Sequence, residues 1–367
     1  MPDKYNVSTS IILSPMTVEK RIEAFAKLGE FLSQFQPEGI TKNEAVVMND
    51  MFFDPFNMQI KRASEFNGWF TRDNVLIAFS KWANILNKSN LNKWISSYDL
   101  SKVQKKKVGV IMAGNIPLVG FHDFLVVLIS GHELIAKQSS SDSYFLPLIA
   151  KYLEYVQPEF KGQISFTEEK LTGFEAVIAT GSNNTARYFD YYFGKYPSII
   201  RRNRNSVAVL TGDESHEELQ QLGEDIFRYF GLGCRSVSKI FVPRNYDFDQ
   251  LFTAIYDYKV VLNYDKYINN YDYNKAVFLM SQFKLLENGF LMLKEDKSYA
   301  SPIATLFFEY YDDESTLQQR LLDDKESIQC LVGKSDRLNM IPFGQTQNPQ
   351  LWDYADDVDT LSFLENL

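Results

Sequence analysis

The chain has only two cysteines, Cys234 and Cys330, and three histidines, His122, His132 and His216, in 367 residues. Thiols so far apart cannot build a disulfide framework. No cysteine or histidine spacing matches a metal site, so neither a stapled secreted fold nor a structural zinc is expected. Long apolar runs are missing too: stretches such as FLVVLIS at 124–130 fall far short of the roughly 18 to 20 residues a membrane span needs. Positive charge is in deficit, with 38 Lys and Arg against 47 Asp and Glu, a net charge of -9. Without a Lys/Arg-rich block, phosphate tracking along nucleic acid is excluded as a function class. The opening MPDKYNVSTSIILSPM has too short an apolar piece for an export signal and no small-residue cleavage site, so a reducing, cytoplasmic location is expected.

What the chain has is apolar and aromatic mass: 45% hydrophobic residues, including 29 Phe and 21 Tyr. That content specifies a folded protein with a large core. Residues 16 to about 105 repeat apolar positions at three and four, as in TVEKRIEAFAKLGEFL and NVLIAFSKWANIL, which predicts a helical layer that starts at Thr17. The basic run SKVQKKK, 101–107, reads as a solvated turn closing it. From Val108 short apolar runs alternate with amphipathic pieces (VGVIM, FHDFLVVLI, ELIAK, LPLIAKYLEYV, EAVIAT, TARYFDYYF, SVAVL), the pattern of parallel strands joined by helical crossovers. In such sheets ligands sit beyond the carboxyl ends of the strands. A second unit opens with HEELQQLGEDIFRYF, 216–230, read as one helix, and continues through GLGCRSVSK to the strand VSKIFV, 237–242.

Cys234 in GLGCRSVSK has two readings. It is either a small buried hydrophobe or a nucleophile, since the flanking glycines permit close approach and Arg235 favours the thiolate. Cys330, in ESIQCLVG, has apolar neighbours and reads as filler. Asn115, just after the strand VGVIM, either closes a turn or offers its amide to an oxyanion. Arg201, Arg202 and Arg204 either neutralise phosphates or are solvated surface charge. His122 is either a proton donor or a packing residue on its helix. The tyrosine-rich stretch 264–273 is either core or the wall of an acyl channel.

Four segments in order carry a resemblance. AGNIPL (113–118), LIAKQSS (134–140), IATGSNNTAR (178–187) and GLGCRSVSK (231–239) are similar to the asparagine loop, the Lys-Pro-Ser-Glu segment, the Thr-Gly-Ser phosphate loop and the cysteine loop of the aldehyde dehydrogenase superfamily. With IRRNRNSVAVLTG (200–212) and FGQTQNPQLWDYADDVDTLSFL (343–364), the set most resembles the LuxC-like acyl-CoA reductases, relatives of the fatty-acid reductase of bacterial bioluminescence. The resemblance implies an α/β fold of two domains with parallel sheets. A helical N-terminal region (1–106) would pack on a Rossmann-like dinucleotide-binding domain (107–212), followed by a catalytic cysteine domain (213–335). A C-terminal segment (336–367) would return to the cofactor domain or serve a subunit interface.

By position, the resemblance makes Cys234 the nucleophile, and Asn115 with the Cys234 backbone N–H the oxyanion hole. Lys137 would bind the adenosine ribose, Gly181 with Ser182 would lie against the cofactor pyrophosphate, and Ser139, Ser140 and Gly114 complete the cofactor-binding set. Arg201, Arg204 and Arg235 are candidates for substrate phosphates, and no metal is implied. Departures from the pattern matter. Arg201 stands near the position of the glutamate that activates water in aldehyde oxidisers, so the acyl group is better passed to a thiol such as CoA. Ser140 replaces an acidic residue that repels a ribose 2'-phosphate, which admits NADPH, with NADH the alternative. Ala186 replaces the second glycine of the phosphate loop, and YASPI (299–303) stands where the nicotinamide-ribose segment is expected. The expected function is NADPH-dependent reduction of a fatty acyl thioester to the aldehyde through a thioacyl cysteine. The acyl group would come from acyl-CoA or from an acyl-protein synthetase partner, and a homo-oligomer is expected. The rivals are NAD(P)-dependent aldehyde oxidation and a non-catalytic acyl-binding subunit.

Overall fold

The structure, a computed structural model, describes residues 16–334 and 338–367. Four helices form the N-terminal layer: α1 (Val18–Leu32), α2 (Asn49–Phe66), α3 (Arg72–Ile85) and α4 (Lys88–Ile95). A hairpin of two short strands, β1 (Phe35–Gln36) and β2 (Gly39–Ile40), links the first two helices. Thr17 starts α1 as read from the sequence, its hydroxyl accepting from the Lys20 N–H and satisfying one of the amides left free at a helix start.

From Lys107 the chain alternates strand and helix. β3 (Lys107–Ile111), α5 (Phe121–Ser130), β4 (Glu133–Lys137), α6 (Phe145–Val156), β5 (Ile164–Phe166), β6 (Ala176–Thr180), α7 (Asn183–Phe193) and β7 (Ser198–Arg201) follow in order. The five strands form one parallel sheet in the order β5-β4-β3-β6-β7. Strand order reverses at β3, so the loops after β3 and β6 diverge and leave a crevice at their carboxyl ends, the site such sheets use for ligands. One face of this sheet, the four N-terminal helices, and Leu351, Leu361 and Leu364 near the C-terminus share a single core rich in phenylalanine.

The second sheet has six strands in the order β10-β11-β12-β9-β8-β13, parallel except for the antiparallel edge β10. They are β8 (Asn205–Val209), β9 (Val237–Pro243), β10 (Leu285–Glu287), β11 (Met292–Glu295), β12 (Thr305–Tyr311) and β13 (Ile328–Val332). Helices α8 (His216–Phe227), α9 (Phe248–Ala254), α10 (Asp265–Met280) and α11 (Glu314–Asp323) connect them. The seam between the sheets falls between Arg201 and Asn205. β8, inside the 107–212 stretch expected for the dinucleotide unit, is hydrogen-bonded between β9 and β13 of the second sheet. An isolated apolar strand reads the same whichever sheet it joins, so its partners decide the boundary.

Of the two places expected for the C-terminal segment, α12 (Thr360–Glu365) returns to the first sheet's domain, packing on α5. Leu361 and Leu364 are buried there, and the Leu364 carbonyl lies 2.9 Å from His132 Nε2. No helix among the described residues is long and apolar enough to cross a membrane.

Candidate active site

α8 begins with a capping box, Ser215 and Glu218 each bonding the other's backbone N–H. It ends earlier than its sequence pattern implies, at Phe227. Tyr229, Phe230 and Gly231 then take three consecutive left-handed conformations, with φ of 53°, 59° and 75°. Aromatic side chains seldom adopt this backbone, and the packing of Phe230 on Trp69 and Tyr264 holds it there. The turn folds the chain back across the mouth of the first sheet and delivers Leu232–Cys234 to a cleft of about 1070 Å³.

The cleft wall includes Cys234, Asn115, Gly114, Gly181, Ser182, His122, Arg201, Arg204 and Arg235. The Asn115 amide Nδ2 donates to the Leu232 carbonyl at 2.6 Å, which ties the loop after β3 to the cysteine loop across the seam. The same loop is held from behind, where the Leu118 N–H, at φ 58°, donates to a buried Asp142 carboxylate oxygen at 3.0 Å. Burial pushes the Asp142 carboxyl up to about 7. Sequence patterning offered no sign of this brace.

Cys234 is an exposed residue of the cleft wall, with protein packed around its thiol. Burial pushes its thiol up to about 11, opposed by the Arg235 charge and by the residue's own backbone N–H, both of which favour the thiolate. Ser206 Oγ anchors the loop by donating to the Cys234 carbonyl at 2.9 Å, and Arg235 Nε donates to the Thr346 carbonyl at 2.5 Å. Cys330 is buried, as its apolar neighbours imply.

At the crevice of the first sheet, Ser182 caps α7, its Oγ accepting from the Thr185 N–H at 3.2 Å. A Cβ on Gly181 would come within 2.9 Å of Phe189, and one on Gly114 within 2.5 Å of Ser139. The bare backbone of both loops therefore packs closely, and the positive end of α7 faces the crevice. These features suit the pyrophosphate of a dinucleotide. Lys137, Ser139 and Ser140 lie at the end of β4, behind Gly114, and are outside the cleft wall.

Two expectations change. Arg201 is not free to meet a phosphate. It is buried, bonded to Asp123 of α5 at 2.5 Å and to the Thr360 hydroxyl of α12 at 3.0 Å. Arg204 is paired with Asp356 at 3.3 Å and Arg202 with Asp190 at 2.7 Å. His122 is held by the Leu351 carbonyl, 2.9 Å from Nε2, among Trp82, Trp94 and Tyr354. Burial pulls its pKa down. A neutral ring whose Nε2–H is already donated has no proton to give, so packing is the role this geometry supports. Tyr267 and Tyr271 of the tyrosine-rich stretch are core, whereas Tyr273 reaches the cleft.

Arg201→Met is expected to lower unfolding free energy by about 3 to 5 kcal/mol, because the Asp123 carboxylate stays buried without its counter-charge. Urea melts of the two proteins check this, and a loss under about 1 kcal/mol would make the pair no stronger than an exposed one.

Residues that sequence reasoning passed over also line the cleft: Lys81 and Trp82 of α3, Tyr229, and Asp356. They come from segments far apart in the chain, with no local motif to mark them. Among the described residues no cluster of His, Cys, Asp and Glu is arranged to hold a metal ion.

No protein-family model and no curated protein sequence matches this chain. Solved structures do. Aldehyde dehydrogenase 21 from Physcomitrella patens, in complex with its reaction product succinate, matches with TM-score 0.60 at 12% identity, over 83% of this chain and 71% of that one. An NAD-dependent benzaldehyde dehydrogenase from Corynebacterium glutamicum matches with TM-score 0.59 at 14% identity, over 83% and 74%. An aldehyde dehydrogenase from Mycobacterium tuberculosis complexed with NAD+ matches with TM-score 0.56 at 13% identity, over 87% and 74%. Two α/β units with parallel sheets, a helical layer before them and a cleft between them make this an aldehyde dehydrogenase fold.

Proposed function

We propose that this protein is a nicotinamide-dependent reductase of acyl thioesters, converting a fatty acyl-CoA, or an acyl group passed from a partner synthetase, to the aldehyde. The observation that carries the reading is the shared cleft: Cys234 and Asn115 line one wall with the α7 phosphate turn, while Arg201, near the position of a water-activating glutamate, is a buried cation bound to Asp123. Cys234 thiolate attacks the thioester carbon, and the oxyanion is met by the Asn115 amide and the Cys234 backbone N–H. Its collapse expels the CoA thiolate, which takes up a proton, and leaves a thioacyl enzyme. Gly181 and Ser182, at the start of α7, would hold the pyrophosphate of a nicotinamide cofactor, whose chemistry would be to supply hydride to the thioacyl carbon. The second oxyanion forms at the same two donors and collapses by breaking the carbon–sulfur bond, releasing aldehyde and restoring the thiolate. Ser140, neutral where an acid would repel a 2'-phosphate, favours NADPH, with NADH the alternative. A homo-oligomer in the cytoplasm is part of the same proposal.

A second reading, oxidation of an aldehyde to the acid, is supported by Asp356. It lines the cleft, is electrostatically coupled to Cys234, and burial raises its carboxyl pKa, as a water-activating base requires. Spectrophotometry with acyl-CoAs and NADPH, and with long-chain aldehydes and NADP+ without CoA, separates the two. The reductase reading expects NADPH consumption matched by aldehyde and no acid. Acid formation that Asp356→Asn abolishes, with no thioester turnover, would replace it with the second reading. Acyl-CoA binding with no affinity for either dinucleotide would leave a non-catalytic acyl-binding subunit.

A further inference from the structure

The cations of the cleft wall are nearly all committed within the protein. Arg201 is held by Asp123, Arg202 by Asp190, Arg204 by Asp356, and Arg235 by the Thr346 carbonyl. Lys81 is the exception among the described residues, with neither an ion pair nor a hydrogen bond. The ammonium stands 5.7 Å from the Tyr229 ring centroid, a weak cation–π contact. The acids nearest to it are otherwise engaged. Glu224 is chelated by Arg228 at 2.5 and 2.7 Å, and Asp225 accepts from the Gly344 and Thr346 N–H groups and the Thr346 hydroxyl. Burial pushes Lys81 down to about 8, opposed by Glu224 and Asp225 and reinforced by Arg228.

An ammonium withdrawn from water without a partner is costly, and an incoming anion relieves that cost. Ala78, Trp82 and Ile85 on the same helix line the cleft beside it, an apolar wall suited to methylenes. α3 belongs to the N-terminal layer, whereas the candidate phosphate turn belongs to the loops after β6. The lysine is therefore supplied to the cleft separately from the cofactor elements.

We propose that Lys81 forms a subsite for an anionic oxygen group, carboxylate or phosphate, carried by the molecule that reacts at Cys234. This rests on the reading of Cys234 as the reacting centre. The two sources are a carboxylate at the far end of the acyl chain and a phosphate of the CoA moiety.

The deciding measurement needs no turnover. Full-length wild-type, Lys81→Met and Lys81→Arg proteins are titrated calorimetrically with glutarate and with inorganic pyrophosphate, after thermal melts establish that each is folded. Lys81→Met is expected to bind at least one anion about tenfold more weakly, the worth of a charge-assisted hydrogen bond, while Lys81→Arg stays within about threefold. Steady-state reduction of glutaryl-CoA, pentanoyl-CoA and glutaryl-pantetheine then names the source. Loss confined to the two glutaryl thioesters assigns an acyl carboxylate, and loss confined to the two CoA thioesters assigns a CoA phosphate. Wild type and Lys81→Met binding both anions within about twofold of each other, or neither protein binding either, overturns the subsite. Lys81-dependent binding without reduction of any thioester keeps the subsite and removes the reductase reading.

Discussion

Cys234→Ala is expected to abolish acyl-CoA-dependent NADPH oxidation and the covalent labelling of the protein by acyl-CoA. In the proposed scheme both half-reactions pass through one sulfur, and alanine offers no nucleophile in its place. Residual turnover above about one part in a thousand of wild type would end the scheme, since a positioned nucleophile contributes far more than that. The same sulfur has a pH signature. With its thiol pushed up to about 11, the reactive thiolate is a minor species at neutral pH. Its fraction, and with it the rate of iodoacetamide alkylation at Cys234, is expected to rise about tenfold per pH unit from pH 7 to 10. The sign follows from the direction of the shift: below the pKa the proton stays on, so lowering pH slows alkylation. A plateau near pH 8 would mean that Arg235 outweighs burial. Mass spectrometry of the peptide containing Cys234 reads both outcomes.

Asn115→Ala is expected to cut the reduction rate by about two to three orders of magnitude, the range found when one donor to an oxyanion is removed. In the resting cleft the Asn115 amide is held to the Leu232 carbonyl, two residues before Cys234. In the proposed reaction the second N–H of this amide is the one left to meet the oxyanion, from a side chain already tied to the cysteine loop. Single-turnover acylation separates this role from a merely structural one, since a transition-state donor lowers the chemical step and leaves substrate affinity nearly unchanged. A change below about threefold would return Asn115 to the turn-closing role.

Much of the architecture was legible because it is local. The switch at Val108 from helical periodicity to short apolar runs marks where the first sheet begins, and Thr17 marks the start of α1 by its hydroxyl. The end of α8 was not legible, because Tyr229 and Phe230 favour helix or strand by themselves, and the contacts that accompany their left-handed turn, Phe230 on Trp69 and on Tyr264, come from distant segments. Nor was the fate of Arg201. A cation in IRRNRNS looks available for phosphate until Asp123 and Thr360 arrive from α5 and α12, 78 and 159 residues away.

By itself the sequence determined the alternation of strands and helices, the order of the loops, and the residue types those loops carry, since these depend on spacing along one chain. Tertiary structure alone decided that Asn115 reaches the cysteine loop, that β8 joins the second sheet, and that a lysine from the N-terminal layer stands unpaired in the cleft. The physical reason is that burial, charge pairing and strand partnership are properties of what surrounds a residue, and here the surroundings come from parts of the chain that only folding brings together.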